Sequence, residues 1–388
     1  MLHIANATIH SPGRVIPRGS VVADGSRIVA VGPTGEVPVA SGATVVNAAG
    51  SVLVPGFIDL QLNGAFGDDF TANPETIWRV AEGLPRYGVT AFLPTIISSP
   101  LEQVEAAMRV VTGGRPKAFR GAEPLGVHAE GPFLNPKKKG AHNARHLRPP
   151  ADDAVAGWSP ESGMRLVTMA PELPGALAVI RTLVARGVVV STGHSMATFE
   201  EAVAGFDAGA RYGTHLFNAM PSLGHRDLGL PGALLADGRM TVGFIADGIH
   251  THRAIIDLVW RMLGPKRLNL VTDAMAALGM PAGRHRLGEY DVIVDATSCR
   301  LDDGTPAGSV LAGSILEMDQ ALRNLVEITG CPLGEALETM TTTPAKLLGL
   351  DGERGMVAPG FVADMVLLSP DLRVQTTIAS GEIAYSAV

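Results

Sequence analysis

A chain of 388 residues with 46% apolar residues is long enough for one large enzyme-sized fold plus a small accessory domain. Its net charge of −7 excludes the broad basic face that neutralises nucleic-acid phosphates. Two cysteines, Cys299 and Cys331, exclude a disulfide framework and a CxxC metal knuckle, and no apolar run reaches membrane-spanning length.

The opening segment, MLHIANATIHSPGRV, lacks the basic and apolar regions of a signal peptide, so a soluble cytoplasmic protein is expected. Residues 2–9, 21–23 and 28–32 read as short strands, with a turn at Asp24-Gly25. The far end reads the same way, with strand-like stretches at 360–368 and 376–385 broken by a turn at Ser380-Gly381. Two β-rich ends around a different middle predict one small β domain, built from residues 1–52 and 350–388.

The middle, residues 53–349, alternates apolar runs with amphipathic stretches. Strands are predicted over 53–62, 89–97, 125–131, 166–170, 188–192, 212–216, 240–246 and 268–273. Helical periods fall at 74–86, 100–111, 175–186, 198–207 and 252–263. The many glycines and prolines sit singly at the corners between them. Eight short apolar strands, most followed by a helix, fit a closed parallel (β/α)8 barrel. A doubly wound open sheet is the rival, but no GxGxxG or Walker pattern follows the first strand.

In a barrel enzyme the chemistry sits at the C-terminal ends of the strands. Here those ends carry Asp59, Gln61 and Asn63; His128 and Glu130; His194; His215 and Asn218; Asp247 and His250; and Asp273. Each alone reads more simply as a satisfied buried polar residue. Together they are too many ionisable groups to bury without mutual compensation. Glu130, His194 and His215 form a two-imidazole, one-carboxylate set, as in a catalytic zinc site with one open position. Asp273 stands at the last strand, where it can take a proton from water and return it to a leaving nitrogen. The run Lys137, Lys138, Lys139 is expected to be solvated surface, or else a lid edge drawing anions towards the site.

The segments PGFIDLQLNG, GVHAEGPFLNPKKKGAHN, STGHS, GTHLFNAM, DGIHTH and LVTDAM resemble the N-acetylglucosamine-6-phosphate deacetylases of the amidohydrolase superfamily. The resemblance spans essentially the whole chain, and it implies a β-sandwich for the terminal domain. It implies Glu130, His194 and His215 as ligands of a divalent cation and Asp273 as the acid/base. Zinc is the default, with iron, manganese or cobalt suited to the same donors. Substrate contacts are implied for Ala141 and His142, for Asn218 and Ala219, for His250, and for the Leu311, Ala312, Gly313 stretch. Arg226 matches a phosphate-binding arginine that serves the partner's site in a homodimer. Relatives with two metals carry HxH after the first strand. Gln61-Leu62-Asn63 stands there instead, so a single cation is expected, because carboxamides are poor ligands beside imidazole.

His128 is expected either to support the site from behind or simply to pack in the core, and Asp59 to fix strand or loop geometry rather than bind metal, while His225 and His252 are weaker candidates for phosphate neighbours. The implied reaction is hydrolysis of the acetamide of N-acetylglucosamine 6-phosphate. Two alternatives are an amidohydrolase for another N-acyl amino sugar or cyclic amide, and a catalytically silent scaffold on the same fold. Retention of all three ligands and of Asp273 counts against the last.

Overall fold

The computed structural model describes residues 1–39, 41–304 and 310–387. The alternating N-terminal segment folds into the antiparallel strands Leu2–Ser11, Arg14–Asp24 and Arg27–Pro33, with Ile4, Ile9, Val21 and Ile28 buried. Val52–Pro55 joins these to Met365–Leu368, Val374–Ala379 and Glu382–Ser386, so both ends of the chain share one eight-stranded sheet. The sheet curls on itself. The Ile28 amide donates to the Phe361 carbonyl at 2.9 Å and the Gly360 amide to the Ile28 carbonyl at 2.8 Å. Inside lies a separate apolar core that includes Leu53, Met365, Leu367 and Ile378.

The predicted strand over 53–62 is two strands belonging to two sheets. Gly56 separates them, pressed against Thr90 so closely that a Cβ would meet the threonine Oγ1 at 2.1 Å. Beyond it runs the parallel barrel, whose strands we number β1 (Phe57–Leu62), β2 (Val89–Ile97), β3 (Val127–Glu130), β4 (Met164–Met169), β5 (Val189–Thr192), β6 (Tyr212–Gly213), β7 (Thr241–Phe244) and β8 (Leu268–Leu270). Each pairs in parallel with the next. Just past β8, a bridge between Leu62 and Ala274 and a 2.9 Å bond from the Asp273 amide to the Gln61 carbonyl close the ring. Residues along the strands are almost entirely buried, as expected when helices cover the outside and side chains fill the inside.

Helices occupy the predicted positions with shifted ends: Ile77–Gly83 between two short 3-10 turns, Leu101–Thr112, Ala176–Ala185, Phe199–Asp207 and Arg253–Arg267, the last broken at Gly264. Thr198 starts one of them with a capping box: its hydroxyl accepts from the Glu201 amide and the Glu201 carboxylate accepts from its own amide. Four helices were not anticipated: Gly229–Ala236, Met318–Thr329, Leu333–Glu338 and Thr342–Leu347. Nor was the antiparallel meander after β8, formed by Gly283–Leu287, Tyr290–Val294 and Cys299–Leu301. It packs Leu287, Val292, Val294 and Cys299 against Ile97, Met275 and Ala312, over the C-terminal end of the barrel.

Candidate active site

The barrel interior under the site is polar but satisfied. His128 on β3 sits between the Thr95 hydroxyl at 3.2 Å and the Thr168 hydroxyl at 2.8 Å, and the chain continues through Thr214 to Ser191. Burial drives the His128 imidazole down to about 4, so it is a neutral link in this network. Asp59 on β1 accepts from the Thr272 hydroxyl at 2.5 Å and from the Gln61 amide at 3.1 Å, clamping β1 to the turn before Asp273.

Above this floor, Glu130, His194 and His215 bring one donor atom each to within 4.8 Å of one another. Glu130 Oε1 lies 3.2 Å from His194 Nε2 and 3.1 Å from His215 Nε2. His194 Nδ1 lies 2.8 Å from the Lys138 carbonyl. A carbonyl only accepts, so Nδ1 carries the proton and Nε2 turns its lone pair inward, the orientation a metal-binding histidine needs. Burial alone would raise the Glu130 carboxyl, but the facing His194 and His215 imidazoles hold it well below the ordinary range. Three buried donors of this kind fit a divalent transition-metal ion.

Asp273 joins this set across the closure of the barrel. The Gln61 carboxamide donates to Glu130 Oε1 at 3.0 Å and to Asp273 Oδ1 at 3.1 Å, while Asn63 donates to the same Asp273 oxygen at 2.8 Å. Burial first, and then the like charge of Glu130, push the Asp273 carboxyl up to about 6. His194, His215 and Asp273 all adopt left-handed backbone, with φ of 48°, 29° and 50°. Such conformations cost non-glycine residues about 1–3 kcal/mol each, and they turn the side chains back over the barrel mouth. Gly313 (φ 63°) passes so close that a Cβ would meet the Asp273 carbonyl at 3.0 Å, which lets its segment cross the end of β8.

The loops between are tied together by Glu172. It accepts from the Ser195 hydroxyl at 2.7 Å, the Met196 amide at 2.6 Å and the Asn135 carboxamide at 2.9 Å, fixing the turns after β3, β4 and β5. His142 hangs from the loop after β3. Its Nδ1 accepts from the Ser98 amide at 3.1 Å, which leaves the proton on Nε2, and that edge faces Glu130 Oε2 at 3.9 Å. Burial first, then the neighbouring His194, take the His142 imidazole down to about 3. It is a neutral N–H donor.

The site opens into one cleft of about 460 Å³. Of the residues named from the sequence, Asn63, Glu130, Ala141, His142, His194, His215, Asn218, Ala219, His250, Asp273, Leu311 and Gly313 line it. His250 Nδ1 is held by Asp247 at 2.6 Å. The Ala312 methyl is buried in the meander core, and its amide is spent on the Cys299 carbonyl. Arg226 and His225 are exposed in the loop before Gly229–Ala236 and do not line the cleft of their own chain. His252 caps a helix, accepting from the Ala254 amide at 3.1 Å. Lys137 and Lys138 do reach the cleft, the less expected of the two readings for that run. Sequence reasoning missed Gln61 as the shared donor to Glu130 and Asp273, and it missed Leu287, Arg300 and Val310 on the meander side. The meander residues carry no motif that could have pointed to them.

Residues 52–384 match the amidohydrolase family. An N-acetylglucosamine-6-phosphate deacetylase from Bos taurus is 43% identical over 352 residues, covering 87% of this chain and 84% of that protein. An N-acetylgalactosamine-6-phosphate deacetylase from Escherichia coli is 37% identical over 367 residues, covering 94% and 93%. A solved N-acetyl-D-glucosamine-6-phosphate deacetylase variant from Mycobacterium smegmatis, in complex with N-acetyl-D-glucosamine 6-phosphate, superposes with a TM-score of 0.90 at 34% identity, over 99% of each chain. A buried triad of donors that fits a metal and a carboxylate at one barrel mouth, set beside a sheet from both termini, thus come with likeness along the whole chain: it belongs to the amidohydrolase family and, within it, to the N-acetylglucosamine-6-phosphate deacetylases.

Proposed function

We propose that this chain hydrolyses the acetamide of N-acetyl-D-glucosamine 6-phosphate, giving acetate and D-glucosamine 6-phosphate. The observation that carries this reading is the convergence in one cleft of three sets: the Glu130, His194 and His215 donors, the Asp273 carboxylate, and the N–H edge of His142. One divalent cation per chain, zinc by default, held by Glu130, His194 and His215, would supply Lewis-acid polarisation of the acetamide carbonyl and lower the pKa of water.

The protein's own groups do the rest. Asp273, held by Asn63 and Gln61, takes a proton from the attacking water and delivers it to the nitrogen as the C–N bond breaks. A carboxyl raised to about 6 is better matched to both transfers near neutral pH than an ordinary aspartate. His142 Nε2–H donates to the carbonyl oxygen as charge builds there. Asn218, Ala219, His250, Leu311 and Gly313 hold the sugar and phosphate in the cleft, and Arg226 reaches the phosphate in the partner's cleft of a homodimer.

The activities named for the bovine and E. coli relatives support an N-acetylated hexosamine 6-phosphate, and the second of them makes the galactosamine epimer the alternative substrate. The test is acetate release from phosphorylated and unphosphorylated N-acetylglucosamine, N-acetylgalactosamine and N-acetylmannosamine. The highest kcat/KM is expected for N-acetylglucosamine 6-phosphate. No acetate from any phosphorylated sugar, with the metal site filled, would overturn the reading.

A further inference from the structure

One arginine lining the cleft has no task in the mechanism above. Arg300 lies on the meander strand Cys299–Leu301 and lines the same cleft as Glu130, His250 and Asp273. Its backbone is fixed. Arg300 bridges Leu311 in antiparallel fashion, flanked by bonds from the Leu301 amide to the Val310 carbonyl (2.9 Å) and from the Ala312 amide to the Cys299 carbonyl (3.0 Å). Cys299, one residue before it, is fully buried in the meander core and anchors the strand.

Among the described residues six arginines are half-buried: Arg165, Arg186, Arg267, Arg300, Arg323 and Arg354. Arg323 pairs with Asp319 and Arg354 with Asp364, while Arg165, Arg186 and Arg267 donate to backbone carbonyls. Arg300 is the exception, with no hydrogen-bond, ion-pair or ring partner among the described residues. A guanidinium has five N–H donors and a permanent charge, and partial burial costs it hydration that the described residues do not return. The two carboxylates lining the cleft do not relieve it. Glu130 is engaged by His194, His215 and Gln61, and Asp273 by Gln61 and Asn63.

An anion entering the cleft would supply what the fold withholds. We propose that Arg300 binds the phosphate group of the substrate from within the same chain, a role resting on the substrate class proposed above. A phosphate monoester carries a charge of about −1.5 to −2 near neutral pH, enough for more than one cation, and its oxygens match the guanidinium fork. Lys137 and Lys138 on the loop after β3 add positive potential to the same cleft without the fork. The meander then does more than roof the barrel: it carries a phosphate contact that does not depend on a second subunit.

The test uses the metal-loaded full chain, with Arg300→Gln and Arg300→Lys checked for unchanged Tm and metal content. Loss of a charge-assisted contact to an anion weakens binding by about 10- to 100-fold. The ratio of kcat/KM for N-acetylglucosamine 6-phosphate over N-acetylglucosamine should fall by that factor in Arg300→Gln and by less in Arg300→Lys. The inhibition constant for inorganic phosphate should rise in parallel. If Arg300→Gln folds poorly, the lysine variant decides, because exchanging a fork for a point charge must still weaken phosphate inhibition. An unchanged ratio with unchanged phosphate inhibition overturns the proposal, as does an equal loss on both sugars. Should the wild type release no acetate from any phosphorylated sugar, the substrate assignment fails on its own. Calorimetric titration of inorganic phosphate into wild type and Arg300→Gln still decides Arg300, and equal affinities would sink it.

Discussion

His194 Nε2 and His215 Nε2 lie 3.0 Å apart, each within 3.2 Å of one oxygen of Glu130. Two imidazole lone pairs at that separation repel unless a positive charge sits among them, and the proton of His194 is already committed to the Lys138 carbonyl at Nδ1. A cation held between them would resolve the conflict. Among the described residues this is the one group of three donors suited to a metal, and the nearby Gln61 and Asn63 contribute carboxamides. Elemental analysis after chelation and remetallation should therefore plateau near one equivalent per chain. His194→Ala and His215→Ala should each lose both metal and turnover. A plateau near two, with activity rising in step, would show that Gln61 and Asn63 help hold a second ion.

Asp273→Asn should keep the fold and the metal and lose turnover by about 10²–10⁴-fold, the usual contribution of a general acid–base group. The carboxamide keeps an oxygen facing the Asn63 and Gln61 donors, so the structural cost is small. His142→Gln should lose about 10²–10³-fold, as expected for one donor to a developing oxyanion, again with metal content retained. Metal lost in step with activity from His142→Gln would reassign that residue as a ligand. Turnover near wild type in Asp273→Asn would remove the aspartate from the reaction.

A pH effect on stability follows from Asp59. Burial pushes its carboxyl up to about 7 from an ordinary value of 3.8, against hydrogen bonds from Thr272 and Gln61 that pull the other way. A folded-state pKa above the unfolded one favours the protonated form. The stabilisation is complete below about pH 4 and is lost as pH rises through about 7. The loss amounts to a few kcal/mol at most, because each tenfold change in proton affinity is worth on the order of 1.4 kcal/mol. Asp59→Asn is neutral and nearly the same shape, and its Oδ1 can still accept the two backbone amides. Its Tm should fall less than that of the wild type between pH 5 and 8. Parallel Tm curves for the two proteins would show that Asp59 does not titrate in that window.

The barrel and the grouping of Glu130, His194 and His215 were legible because the strands are apolar runs, six of which end in polar residues, a pattern that survives without knowledge of neighbours. Gln61 was legible only as the absence of a ligand. Its part in joining Glu130 to Asp273 depends on the closure of β1 against the end of β8, a contact across more than 200 residues. The helix Gly229–Ala236 was hidden by Gly229, Pro231 and Gly232, which are poor helix formers. Nearly complete burial of its residues overrides that propensity. The meander was hidden for the opposite reason. Arg284, Arg286 and Asp291 face solvent, so its strands read as polar loop, and their apolar positions acquire meaning only against Ile97 and Met275. Arg300 went unseen with them.

Arg226 tests assembly and substrate identity together. It is exposed in the loop before Gly229–Ala236 and lies outside the cleft of its own chain, while Leu223 and Leu228 expose apolar side chains in the same loop. A guanidinium on an exposed loop beside apolar surface suits the role proposed above at a neighbouring subunit. If it binds phosphate across a dimer interface, Arg226→Ala should lower the kcat/KM ratio of phosphorylated over unphosphorylated N-acetylglucosamine by about 10- to 100-fold. Mixing then separates the two claims. Arg226→Ala chains lack the phosphate contact and Asp273→Asn chains lack the acid/base, so each homodimer is poor. In a heterodimer, the site with an intact Asp273 receives Arg226 from the Asp273→Asn chain and regains function, while the other site lacks both. Random exchange from equal amounts makes half the dimers mixed, so the mixture should recover about a quarter of wild-type activity per chain. If subunit exchange is verified by mass-tagged chains and no activity returns, Arg226 does not act across the interface. If the substrate ratio is unchanged in Arg226→Ala, it does not bind the phosphate at all, and Arg300 remains as the guanidinium placed to do so.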